Sequence, residues 1–271
     1  MNGLKGKICI LLCLLIAQPL SHAAESDFPG RKLYLAVPYI ELEQLYQQRD
    51  KLVFVDVRSP YEYQTLRIKG AINIPLSDAE FVQKIQSLRK RVRDKAIVVY
   101  CNGKTCMKSY KAVSKCRKFK IDNVIAYDAG IIDWARKYPE ESILLGKMLS
   151  DPKKLISKKR FTEHLLLPDE FEGKVSAKDV IVLDVRDRFQ REGISLFIKQ
   201  ERRALLDQQE LVDRFIVQAK RENKTLLVYD QAGKQVRWLM YRLEDQGLPS
   251  YYFMKGGARD YYQNLRQQFV R

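Results

Sequence analysis

The stretch KLVFVDVRSP, Lys51 to Pro60, decides how this chain folds. Its Leu, Val and Phe residues make a short apolar run that closes on polar residues, the pattern of a strand buried on both faces of a parallel sheet. Further along, DVIVLDVRDR (Asp179 to Arg188) repeats that run and its ending, and Asp56 and Asp184 lie 128 residues apart. A second pair is AIVVYCNGKTC from Ala96 and TLLVYDQAGKQ from Thr225, whose Tyr100 and Tyr229 are 129 apart. A third sets VIAYDAGIIDWARKY against YYFMKGGARDYYQ, with Gly130 and Gly257 127 apart. Three matches in one order at a nearly constant offset indicate an internal duplication. Amphipathic helical stretches lie between the strands, among them AEFVQKIQSLRKRV, KSYKAVSKCRKFKI and QELVDRFIVQAKREN. Alternating strands and helices predict an α/β fold in which each unit is a central parallel sheet flanked by helices. The boundary falls in MLSDPKKLISKKR, near Asp151 to Arg160, which carries a Pro and many Lys. It divides the chain into units of ordinary domain size at residues 24–150 and 151–271.

A length of 271 residues is comfortable for two such units. With 46% hydrophobic and 30% charged residues, the chain has far too much apolar content for a disordered protein. Its formal net charge of +16, from 49 Lys and Arg against 33 Asp and Glu, creates a field that attracts anions and acidic surfaces. The basic clusters Arg89 to Arg93 and Lys158 to Arg160 accompany no base-reading or stacking module, so nucleic acid is not an expected partner. At the N-terminus, Lys5 and Lys7 precede the apolar run ICILLCLLIA (Ile8 to Ala17) and then QPLSHAAES. A positive start, a short apolar run and small residues at a cleavage point make a secretory signal over residues 1–23, cut before Ala24. A lipoprotein reading centred on Cys13 is weaker, because Leu12 stands where a small residue belongs. The run falls short of the roughly 20 residues a spanning helix needs, and no later segment is longer. The mature chain is therefore expected in the periplasm, without a transmembrane segment. Cleavage leaves three cysteines, Cys101, Cys106 and Cys116, and one histidine, His164. An odd count leaves at least one thiol without an intramolecular partner. A single histidine, in the ordinary setting FTEHLLLP, argues against Cys-His-Asn proteolysis and most zinc sites, so neither metal nor cofactor is expected.

Chemistry concentrates where the second apolar strand ends. In an open parallel sheet, ligands bind beyond the carboxyl ends of the strands. Cys101 sits at that place, before a helix that starts near Lys108 or Ser109. The intervening Asn102, Gly103, Lys104 and Thr105 allow backbone N–H groups to converge as an anion-binding nest. The helix N-terminus and the charges of Lys104 and Lys108 add to it, favouring a thiolate and making Cys101 a nucleophile. Cys106, five residues on, either fills the loop or is a candidate resolving thiol that closes a disulfide with Cys101. Cys116, inside the following helix, reads as a core thiol.

Taken together, VDVRSPYEY, RIKGAINIP, the strand IVVYC with its Gly-containing loop, and DAGIIDWARKYP resemble the rhodanese superfamily over most of residues 33–140. The resemblance implies that Cys101 takes sulfane sulfur from a small sulfur-containing anion such as thiosulfate, holds it as a persulfide, and passes it to a thiol or protein acceptor. It also implies that backbone N–H groups of the loop Asn102, Gly103, Lys104, Thr105, Cys106 and Met107, leading into Lys108, cradle persulfide and donor. Asp56 and Arg58 match the family's Asp-x-Arg and are expected to brace neighbouring loops through charge-assisted hydrogen bonds. The loop departs from the family in its extra length and its second cysteine. The longer loop is similar to that of a phosphatase and arsenate-reductase branch built on Cys-x5-Arg, but Met107 stands where the arginine belongs, so phosphatase chemistry is not expected. The resemblance extends over roughly residues 160–265, with Asp230 in the place of Cys101. A carboxylate cannot carry a persulfide and repels an anionic donor, so this copy is expected to be silent. It either completes the wall of the active site or offers a candidate surface for a protein partner, with Tyr251, Tyr252, Phe253, Tyr261 and Tyr262 available for contact. Two rival functions remain: an exported thiol–disulfide protein using Cys101 and Cys106, and a non-catalytic scaffold.

Overall fold

The computed structural model describes residues 28–191 and 195–269, so the expected signal at residues 1–23 lies outside the described residues. The first half contains α1 (Pro29–Leu33), α2 (Leu42–Gln47), β1 (Leu52–Asp56), α3 (Pro60–Thr65), β2 (Leu66–Ile68), β3 (Ile72–Asn73), α4 (Phe81–Arg91), β4 (Ala96–Tyr100), α5 (Lys108–Lys118), β5 (Val124–Tyr127), α6 (Gly130–Lys137), β6 (Ser142–Leu144) and β7 (Lys147–Met148). The second half contains α7 (Lys158–Glu163), β8 (Leu165–Leu166), α8 (Pro168–Val175), β9 (Val180–Asp184), α9 (Arg188–Arg191), β10 (Glu201–Arg203), α10 (Gln209–Arg221), β11 (Thr225–Tyr229), α11 (Val236–Asp245), β12 (Tyr251–Met254) and α12 (Gly257–Phe269).

Both apolar strand pairs build parallel sheets, as their unbroken runs require. The first has the order β3-β1-β4-β5 and the second β10-β9-β11-β12-β8. The duplication extends to register: Asp56 stands opposite Tyr100, and Asp184 opposite Tyr229. It also reaches an edge position that the sequence pattern does not mark. Leu165 of β8 pairs with Phe253, and at the matching place a single parallel bridge joins Tyr39 to Ala126. A third, antiparallel sheet, β2-β6-β7, is an addition to the expected plan. Its strands are two or three residues long, too short to display an alternation.

Helices cover the sheet faces with apolar stripes of helical period: α4 buries Phe81, Val82, Ile85 and Leu88, and α10 buries Val212, Ile216 and Ala219. One hydrophobic cluster runs continuously from the first half to the second, joining Phe54, Tyr61, Leu66 and Trp134 to Trp238, Leu239, Tyr241 and Phe253. Two further clusters lie one in each half, around Val99 and Val113 and around Phe171 and Leu227. A polar contact crosses the same seam: Gln209 donates to Gln64 at 2.7 Å. Of the aromatics near the C-terminus, Tyr251, Phe253 and Tyr261 are buried, and Tyr252 and Tyr262 are half-buried against the Phe171 cluster. His164 stacks on Tyr251 and hydrogen-bonds its carbonyl at 2.9 Å, a structural setting. Among the described residues no helix is long and apolar enough to cross a membrane.

Candidate functional site

β4 ends at Tyr100 and α5 starts at Lys108, so the loop between them spans the expected residues. Gly130, at the start of α6, lies against it with φ +71; a Cβ there would fall 2.4 Å from the Gly103 nitrogen. Only glycine permits this backbone approach. Cys101 is fully buried, and its Sγ lies 3.2 Å from the carbonyl of Cys106 and 3.8 Å from the hydroxyl of Ser109. The loop's side is braced by a chain of buried polar groups. Arg58 grips Asp56 through Nε at 2.9 Å and Nη2 at 2.6 Å, and its Nη1 donates to the Asn102 Oδ1 at 3.2 Å. Asn102 in turn donates to Glu62 Oε1 at 2.8 Å. Arg58 thus links Asp56, at the end of β1, to Asn102 on the loop.

Glu62 joins the site without having been expected there. Ser59-Pro-Tyr-Glu62 is a capping box that starts α3, a recognisable sequence signal for a helix start. Its second duty, holding Asn102 and lying 3.8 Å from Lys108, depends on chain 40 residues away. Burial opposes its charge, but Lys108, Arg58 and the Asn102 hydrogen bond prevail and hold its carboxyl below the ordinary range. Lys104 likewise lies 3.9 Å from Asp133. Each expected lysine thus faces a carboxylate, which offsets part of the positive field assigned to the loop.

The two thiols shift each other's ionisation, and one of them loses its proton easily. Burial pushes the Cys101 thiol up, and the neighbouring Cys106 sulfur pushes it further. The hydrogen bond from Cys101 lowers Cys106 to about 6, helped by the amides of Lys108 and Asn102 and by the Lys108 charge. Electrostatics thus favour the anion on Cys106, the less buried sulfur, over Cys101. The backbone of Asn102 and Lys108 favours charge on Cys106 and that of Ser109 favours it on Cys101, while the Cys106 amide turns to the Gly103 carbonyl at 2.8 Å. Thr105 is exposed and Met107 half-buried beside Cys106 in the apolar cluster. Cys116 is buried, as a core thiol should be.

The matching loop of the second half carries its own anion. Asp230 follows β11, and its carboxylate accepts hydrogen bonds from the amides of Ala232 (2.9 Å), Gly233, Gln235 (2.6 Å) and Val236 (3.1 Å). Gly257, with φ +64, presses on this loop as Gly130 does on the first. Four converging amides on one carboxylate demonstrate that this strand–loop–helix corner is an anion cradle. Across the seam, the ring of Trp238 lies 5.0 Å from the Arg58 guanidinium, and Gln235 lies 3.4 Å from Ser59. Among the described residues, no three His, Cys, Asp or Glu side chains gather as a metal site requires.

Residues 41–137 match the family model described as "Rhodanese-like domain". A tRNA uridine(34) hydroxylase from Photorhabdus laumondii is 34% identical over 39% of this chain and 30% of its own length. A probable adenylyltransferase/sulfurtransferase MoeZ from Mycobacterium tuberculosis is 29% identical over 38% of this chain and 25% of its own length. The chain spans less than a third of these curated relatives. A solved thiosulfate sulfurtransferase from Pseudomonas aeruginosa is 19% identical, covering 86% of this chain and 47% of that one, with a TM-score of 0.35.

Proposed function

We propose, on the premise that residues 41–137 are a domain of the rhodanese-like family, that this protein is an exported sulfurtransferase carrying sulfane sulfur on Cys101. The observation that carries the proposal is the position of Cys101 in an anion cradle whose duplicate holds a carboxylate on four amides. In the first copy that cradle contains two sulfurs and one readily lost proton. Residues 24–150 form the working domain; residues 151–271 form a silent one that braces Arg58 through Trp238. The N-terminal signal pattern supports a periplasmic setting.

The donor is a small anion of the thiosulfate type. As Cys101 attacks its sulfane sulfur, the Cys101 proton passes to the Cys106 thiolate on the same loop. An S–S bond forms on Cys101, and sulfite leaves with the electron pair. A thiolate acceptor then attacks the outer sulfur, and Cys101 departs as thiolate. Buried Cys101 keeps the persulfide away from water, while the amides of Asn102, Lys108 and Ser109 stabilise the charge on the sulfurs.

Intact mass after thiosulfate treatment, for wild type and Cys101→Ser, tests this reading. The expected result is one added sulfur atom in wild type alone, removed by cyanide. An unchanged mass, or equal sulfur addition to Cys101→Ser, refutes it.

A further inference from the structure

We propose that Cys106 resolves the Cys101 persulfide as an intramolecular disulfide, so that the protein releases its cargo as sulfide when a dithiol reductant is present. The inference rests on the persulfide reading above and adds a second activity to the same loop. Three observations carry it. First, the loop folds Cys106 back onto Cys101: the Cys101 Sγ lies 3.2 Å from the Cys106 carbonyl oxygen, so the two residues already share one tight turn. Second, the Cys106 amide closes the loop on the Gly103 carbonyl at 2.8 Å, which fixes Cys106 inside the same strand–loop–helix corner as Cys101. A persulfide on Cys101 therefore forms beside a second sulfur already seated in the cradle. Third, Cys106 is partly exposed while Cys101 is fully buried, so a disulfide between them presents Cys106 to an outside reductant. A single-cysteine loop would leave the persulfide waiting for an external acceptor. Here the nearest acceptor is internal.

The atoms balance as follows. The Cys106 thiolate attacks Sγ of Cys101; the Cys101–Cys106 bond forms, the bond to the outer sulfur breaks, and that sulfur leaves as hydrosulfide with the electron pair. The two cysteines are oxidised and the sulfane sulfur is reduced. A dithiol then exchanges through Cys106, taking up the oxidation as its own disulfide and restoring both thiols. Over a full cycle, thiosulfate and a dithiol give sulfite, sulfide and an oxidised dithiol. The accumulated form without reductant is the bridged loop.

The test uses the full chain, reduced, loaded to completion with thiosulfate and freed of excess donor. Wild type, Cys106→Ser and Cys106→Ala are followed by intact mass and by sulfide assay without reductant. The expected result is that wild type loses the added sulfur, ends two hydrogens below its starting mass and releases one equivalent of sulfide per chain. Peptide mapping then places the disulfide between Cys101 and Cys106, with Cys116 still alkylated as a free thiol without prior reduction. Both variants keep the persulfide at least roughly tenfold longer. If wild type holds its persulfide as long as the variants and releases no sulfide, resolution by Cys106 is refuted while the transferase reading survives. If no form gains sulfur, both fall. Should the variants fail to fold, the wild-type map decides alone: a bridge elsewhere, or none, refutes the proposal.

Discussion

Because Cys101 and Cys106 shift each other's ionisation, removing either sulfur changes the acidity of the other. In wild type the loading rate should rise with pH as the pair loses its first proton, half-maximal near the value of about 6 that the hydrogen bond from Cys101 gives Cys106. Cys106→Ser leaves a buried thiol whose ionisation burial opposes, so the midpoint moves upward. Loading near neutral pH should then slow roughly tenfold or more, measured by quenched-flow mass spectrometry. A profile that does not move would show that Cys106 takes no part in the proton transfer. Asp230 makes a matching case at the level of stability. Asp230→Ala strands four amides at a buried corner, and the loss should be about 1–3 kcal/mol in urea unfolding. Both cysteines, Asp56, Arg58 and Asp230 are legible in the sequence, because each follows a recognisable strand. Which sulfur bears the charge is not, since burial and a through-space hydrogen bond decide it.

At the level of elements, the site depends on how α3 meets the loop between β4 and α5. Glu62 closes the capping box of α3 and holds Asn102 on that loop. Its folded carboxyl titrates below the ordinary range, so its contribution is present above the unfolded value of about 4.3 and fades as pH falls through the folded one. Glu62→Gln should therefore cost about 1 kcal/mol or more near neutral pH and close to nothing under strongly acidic conditions, compared by urea midpoints. An equal cost at both would mean that the charge does not contribute. The parallel sheets, their helices and the duplicate order follow from apolar runs and helical periods, so this much of the fold can be read directly. The antiparallel sheet β2-β6-β7 and the bridge from Tyr39 to Ala126 cannot, because they involve too few residues to carry a period. The pairing of Lys104 with Asp133 and of Lys108 with Glu62 escapes sequence reading for a different reason: their partners come from distant elements.

At the scale of the molecule, the seam between the halves belongs to a single hydrophobic cluster. Domains that share an apolar cluster lose it together, so calorimetry should show one cooperative transition rather than two. Trp238→Ala removes a buried ring from that seam and should cost about 3–5 kcal/mol. It should also slow sulfur loading on Cys101, because Arg58 loses the ring it rests on and with it part of its hold on Asn102. Two separate transitions in wild type, or a Trp238→Ala protein that loads at the normal rate, would show that the second half is a passenger. The sequence displays two similar units and a Lys-rich boundary, but the shared cluster arises from residues scattered over both, and only folding brings them together.

The carboxylate lodged on Ala232, Gly233, Gln235 and Val236 gives the molecule a built-in reference standard. Those four amides feel a fixed negative charge whatever happens on the other side of the seam. In a nitrogen–proton correlation spectrum they should stay still as sulfur is added and removed, while the amides of Asn102, Lys108 and Ser109 shift with each chemical state of the two cysteines. One spectrum of one sample would then contain both the reporter and its own zero.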